Sequence, residues 1–178
     1  LMRSSAASDV YKRQEEDMNK LMKFVYSAVI TVIAGAAASY FTRFGIYNWY
    51  AALDKPTITP PDAVFPIVWT ILYLLMIIAF YRVLTKADAE RQRRANQLFL
   101  GQLLLQVVWT YFFFTQGYIG LAFAVIILLD LIVYKMILNF KAADKAAAYM
   151  MYPYFWWLIY ASFLNFSFAY INGMVVIF

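Results

Sequence analysis

Residues 98–138 read LFLGQLLLQVVWTYFFFTQ-G-YIGLAFAVIILLDLIVYKMIL, and the charged residues in that whole stretch are Asp130 and Lys135. A helix crosses a bilayer with ~20 mostly apolar residues. The stretch therefore holds two crossings, 98–116 and 118–138, with little more than Gly117 between them: a tight antiparallel hairpin of membrane helices. Working outward, 64–84, 149–171 and 22–42 have the same character, giving an all-α integral membrane bundle of five transmembrane helices. Between the spans, 86–97 and 139–148 read as polar loops. The longest connection, 43–63, holds Pro56, Pro60 and Pro61, which stiffen it and forbid a long helix there.

Composition agrees. Of 178 residues, 65% are hydrophobic and 14% charged, against roughly 45–50% and 25% in soluble domains, and mean hydropathy is +0.65. A soluble core of this size does not hide that much apolar side chain, and disorder is excluded on the same grounds. There is no cysteine and no histidine. Disulfides, thiolate chemistry, His-based triads and the usual haem and zinc ligands are therefore out. No metal site is expected, and no resident cofactor is called for. Residues 1–23 stand apart with nine charges. Residues 1–20 read as a polar tail outside the membrane domain, 21–178, with Met18 and Met22 as candidate native starts.

The net charge of +5 follows topology, not nucleic acid. With the N-terminus inside, the inner segments carry Arg3, Lys12, Arg13, Lys20 and Lys23, then Arg82, Lys86, Arg91, Arg93 and Arg94, then Lys135, Lys141 and Lys145. The other side carries Arg43 and Lys55. The positive-inside rule then puts the Pro-rich loop and the C-terminus outside the cytoplasm.

Inside a membrane, polar residues and excess aromatics are the informative ones. Gln102, Gln106, Trp109 and Phe113 share one face of the third span, Pro66, Trp69 and Tyr73 one face of the second, and Pro153, Trp157, Ala161 and Asn165 one face of the fifth. Aromatic walls with a few amides suit a flat apolar ligand with polar edges. The plainer readings are interface belts for the aromatics and helix-to-helix bonding for the amides. Asp130, deep in the fourth span, reads either as a proton or cation site or as an inward carboxyl bonded to a neighbouring amide or Tyr, or paired with Lys135; the nearness of Lys135 favours the second, structural reading. The pairs Ala34/Ala38 and Gly35/Ser39 point to close helix packing. Val68-Trp69-Thr70 and Val108-Trp109-Thr110 recur, too briefly to make a repeat.

The Pro-rich loop, W-Y-A-A-L-D-K-P-T-I-T-P-P over 49–61, predicts a docked lid. With V-W-x-x-L-Y from Val68 and P-Y-x-x-W-x-x-x-A-x-x-L-N from Pro153, it resembles the TspO/MBR family, the tryptophan-rich sensory proteins related to the translocator protein (peripheral benzodiazepine receptor). The resemblance covers about residues 22–172. It implies a five-helix bundle, usually a homodimer, that binds porphyrins such as protoporphyrin IX. It places Trp49, Tyr50 and Pro60 in a lid over a ligand cavity, Trp69 and Tyr73 on its second-span wall, and Trp157, Ala161 and Asn165 on its fifth. From the third span, Gln102, Gln106 and Trp109 would contribute a polar edge and one more ring. Gln102 or Gln106 stands where the family usually has asparagine, and Ile58 where it often has tryptophan. Nothing basic follows Tyr170, so the sterol pattern of animal members is absent. A bacterial member in the inner membrane is expected. The leading function is a porphyrin-binding sensor, regulator or carrier, with propionates near Lys55 or Arg43. The alternatives are light-dependent porphyrin degradation, with Trp69 and Trp157 as the photochemical residues, and small-molecule transport using Asp130.

Overall fold

The computed structural model describes residues 2–173. It has five α-helices: α1, Met2–Asn48; α2, Val64–Lys86; α3, Ala89–Thr110; α4, Ile119–Ala143; and α5, Lys145–Ile171. Among the described residues there is no strand. α3 runs on into a π-helical turn, Tyr111–Gln116, and a short 3-10 turn, Tyr50–Ala52, opens the lid. Four helices, α1 to α4, are long and apolar enough to cross a membrane. α5 has the length, 27 residues, but its Tyr, Trp, Ser and Asn content makes it less apolar.

The helices extend beyond the expected spans. The 86–97 segment is not a loop: the break is Ala87 and Asp88, and α3 starts at Ala89. Asp88 caps it, its carboxylate accepting from the Arg91 amide at 2.9 Å, and the Glu, Arg, Gln and Ala run that follows consists of good helix formers. The 139–148 segment is likewise helical except at Asp144, an extended residue (φ −153°, ψ 110°) that caps α5. Its carboxylate accepts from Arg82 Nε at 2.6 Å and lies 3.2 Å from Lys86 Nζ. These cations hold the Asp144 carboxyl below the usual carboxylate range, the Arg82 hydrogen bond being the largest cause. The tail is not a separate element either. α1 is continuous from Met2, a length of about 70 Å at 1.5 Å per residue, so it overshoots any bilayer.

α4 packs against α3 and α5, while α1 lies along α2 and the end of α3. At the end holding Asp144 the core is solid. Phe80 stacks on Phe99 at 4.0 Å and 6°, among fully buried Met76, Val83, Met136, Phe140 and Met151. A second, smaller core of Tyr50, Phe113, Ile119, Ala122, Leu164 and Phe168 sits at the lid end.

Candidate ligand cavity beneath the lid

The connection from α1 to α2 is docked, as its prolines predict, and named bonds hold it. Asn172, at the end of α5, accepts from the Asp54 amide through Oδ1 at 3.0 Å and donates through Nδ2 to the Asp54 carbonyl at 3.0 Å. Tyr160 donates its hydroxyl to the Ile58 carbonyl at 2.6 Å. Trp49 donates its indole N–H to the Phe114 carbonyl at 2.7 Å.

Under this lid, between α1, α2, α3 and α5, lies a cavity of about 490 Å³, within the usual ligand-pocket range of roughly 300–1,000 Å³. Pro66, Trp69 and Tyr73 line it from α2, and Gln106, Trp109 and Phe113 from the α3 end. From α5 come Trp157, Ala161 and Asn165, and from the lid Tyr50. The three faces singled out by periodicity thus converge. The neighbour of Trp157, Trp156, points away and is 65% exposed. Trp69 lies 5.4 Å from the Tyr73 ring, and Trp157 meets Phe65 edge-on at 6.0 Å.

The amides differ in what they do. Asn165 is fully engaged: Oδ1 accepts from Trp109 Nε1 at 2.9 Å and Nδ2 donates to the Ile119 carbonyl at 2.9 Å. It fixes the Trp109 ring and ties α3 and α4 to α5. Gln106 donates to the Tyr73 hydroxyl, and its Oε1 has no hydrogen-bond partner among the described residues.

Three expected residues are not in the lining. Gln102 lies outside it and is wholly buried, accepting from Tyr154 at 2.7 Å and donating to Met76 Sδ at 3.8 Å. It is a core amide because its partners lie on the solid side of the bundle. Pro60 stiffens the lid away from the cavity surface, and Trp49 is turned onto the π-helical turn instead. Asp130 is also outside the lining, 7% exposed. Its Oδ2 accepts from Ser162 Oγ at 2.7 Å, so its partner is a hydroxyl on α5, not Lys135, an amide or a Tyr.

Two contributions were missed or misread in the sequence. Gly35, Ala38, Ser39 and Thr42 line the α1 wall. A Cβ at Gly35 would come within 3.0 Å of the Tyr73 ring. The small residues on this face therefore let α1 pack closely on α2, as their spacing predicts, and the same face also lines the cavity; Ala34, one residue round, lies in the core. The signal was their i, i+3, i+4, i+7 spacing. The other is the extent of the aromatic end wall, which includes Phe65, Phe114, Tyr160 and Phe168.

The rim is charged. Arg43, Lys55 and Asp62 all line it. Lys55 Nζ stands 5.0 Å over the Tyr50 ring and 3.9 Å from Asp62, and Arg43 takes part in none of the salt bridges among the described residues. Burial, with Asp62 nearby, pushes the Tyr50 phenol up to about 12, so it stays neutral. The cavity thus pairs an apolar, ring-lined interior with a mouth that carries two cations and one carboxylate.

The sequence model of the TspO/MBR family matches residues 27–171. A tryptophan-rich protein TspO of Archaeoglobus fulgidus is 32% identical over 153 residues, 86% of this chain and 99% of its own length. A tryptophan-rich sensory protein of Cereibacter sphaeroides is 33% identical over 148 residues, 82% of this chain and 92% of that one. The translocator protein of Ovis aries is 28% identical over 134 residues, 74% of this chain and 79% of that one.

Proposed function

The chain belongs to the TspO/MBR family, and on that premise we propose that this integral membrane protein binds an acid-bearing, flat tetrapyrrole of the protoporphyrin IX type in the cavity beneath its lid, as a sensor, regulator or carrier. One observation carries the reading: rings of Trp69, Trp109, Trp157 and Tyr73 enclose the same cavity that Arg43 and Lys55 rim. Flat π-systems gain from such rings, and carboxylates gain from cations at a mouth where water is near. Having neither His nor Cys, the chain recognises the macrocycle by shape and stacking.

Family resemblance supports a homodimer, and the basic residues at the Asp144 end support a lid outside the cytoplasm. The test of function is a titration of the detergent-solubilised protein with protoporphyrin IX, following tryptophan fluorescence and the Soret band, in darkness and under light. Saturable quenching in the dark supports binding, and its absence refutes the proposal. Light-dependent bleaching to a defined product would move the reading to photodegradation, with Trp69 and Trp157 as the rings in contact.

A further inference from the structure

Trp49 is the residue that the family resemblance brings to the ligand and the geometry takes away from it. Its indole N–H goes to the Phe114 carbonyl at 2.7 Å, and that acceptor is open for a structural reason. α3 ends in the π-helical turn, and the chain leaves it at Gly117, whose φ of 69° is left-handed. The Gly117 and Tyr118 amides both turn back to the Phe112 carbonyl, and the Ile119 amide goes to Gly117. Phe114 is thereby left among the terminal carbonyls that a helix does not satisfy itself. Trp49 supplies the missing donor from another element.

Two glycines fit the indole and its acceptor together. At Gly45, α1 runs so close that a side chain would overlap the Phe114 backbone. Gly117 lies under the Trp49 ring, where a Cβ would sit 3.5 Å from Cζ2. The bond is consequential for the cavity because of what flanks it. Tyr50, next in the chain, lines the cavity with its ring 5.4 Å from Phe114. Phe113 and Phe114, both on the π turn, line it too.

We propose that the Trp49–Phe114 bond is a clasp that joins the lid to the π-helical end of α3 and holds the aromatic end wall in place, with Trp49 acting as a positioning residue that does not touch the ligand. Its effect on affinity rests on the porphyrin reading; the clasp itself does not. Trp49→Phe keeps a ring and removes the N–H. Gly45→Ala pushes α1 off the Phe114 backbone and is an independent route to the same disruption.

The experiment is hydrogen exchange on the ligand-free protein in detergent, read alongside protoporphyrin IX dissociation. In both variants, segments 50–59 and 111–119 should exchange about fivefold faster, the factor expected of one lost hydrogen bond. Exchange in 129–158 should be unchanged, and porphyrin should dissociate several-fold faster. Unchanged exchange in the lid and π turn overturns the clasp whatever the affinity does, and a loss of affinity alone would mean that Trp49 touches ligand. Uniform acceleration over the bundle would mark a general folding role, again against the proposal. Local acceleration with unaltered dissociation would overturn the positioning role. If the unsubstituted protein binds no porphyrin, the functional reading falls while the exchange comparison still decides the clasp.

Discussion

The two ends of the bundle solve different problems with the same residue types. At the Asp144 end, aromatic rings fill space: Phe80 and Phe99 stack at 4.0 Å, Phe140 lies 6.4 Å from Phe80, and all three are fully buried. At the lid end, rings surround space, with Trp69, Trp109 and Trp157 lining about 490 Å³. The fastenings differ as well. One end is fixed by a carboxylate between two cations, Asp144 with Arg82 and Lys86. The other is fixed by neutral side chains on backbone carbonyls, Trp49 on Phe114 and Tyr160 on Ile58. The lesson is a division of labour: one end fills its interior with rings, and the other, beside a smaller core, leaves a cavity between them.

That division predicts opposite sensitivities. The largest effect is expected in the solid end. Phe80→Ala should lower stability by about 3 kcal/mol or more, as large-to-small core changes do, with porphyrin affinity per folded molecule unchanged; thermal unfolding in detergent checks this. An equal loss from emptying the lid end, for instance with Trp69→Leu, would erase the contrast. Next is Asp144→Ala, expected to cost about 1–2 kcal/mol, the scale of a lost N-cap. Because the folded carboxyl is held below its unfolded value, this contribution is complete above roughly pH 4, the unfolded value, and is lost as pH falls through the lower folded value. The alanine variant should show a flatter acid unfolding profile. Ala161→Leu should leave the melting temperature nearly unchanged and weaken porphyrin binding about tenfold by filling the cavity, the reverse of Phe80→Ala, since leucine is well tolerated in a membrane helix. The smallest effect belongs to the rim. Arg43→Gln should weaken binding of the free diacid by a few-fold, within the ~0.2–1 kcal/mol of exposed charge pairs, and leave the dimethyl ester unaffected. Equal loss for acid and ester would remove the rim from the account.

Much of this was legible in the sequence, for identifiable reasons. The bilayer demands long apolar runs, so the positions of the helices were readable to within a few residues wherever lipid sets the boundary. Where water takes over, that signal stops: the helical 89–97 and 139–143 segments are polar and look like loops, and only Asp88 and Asp144 as caps betray them. Periodicity grouped Trp69 with Tyr73 and Trp157 with Ala161 because a helix face needs nothing but spacing. It did not distinguish Gln102 from Gln106, one turn apart on the same face, because what separates them is depth: Tyr154 and Met76 reach one, and the cavity reaches the other. The role of Trp49 depends on a π turn more than sixty residues away in sequence, and local pattern carries no trace of that. The small residues of α1 were visible as a packing face, which they are against Tyr73, but their second use as a cavity wall leaves no separate mark in the spacing.

The claim on which everything else depends is that the lid end encloses a ligand site. Trp156 and Trp157 test it most directly, being consecutive, alike in chemistry and oppositely placed, one 65% exposed and the other on the cavity wall. Protoporphyrin IX affinity should be measured by fluorescence and Soret titration for Trp156→Leu and Trp157→Leu, each shown to be folded and in the native oligomeric state. The account predicts a loss of about 1 kcal/mol or more for Trp157→Leu, the scale of a lost aromatic contact, and almost none for Trp156→Leu. Equal losses, or a larger one at Trp156, would contradict it.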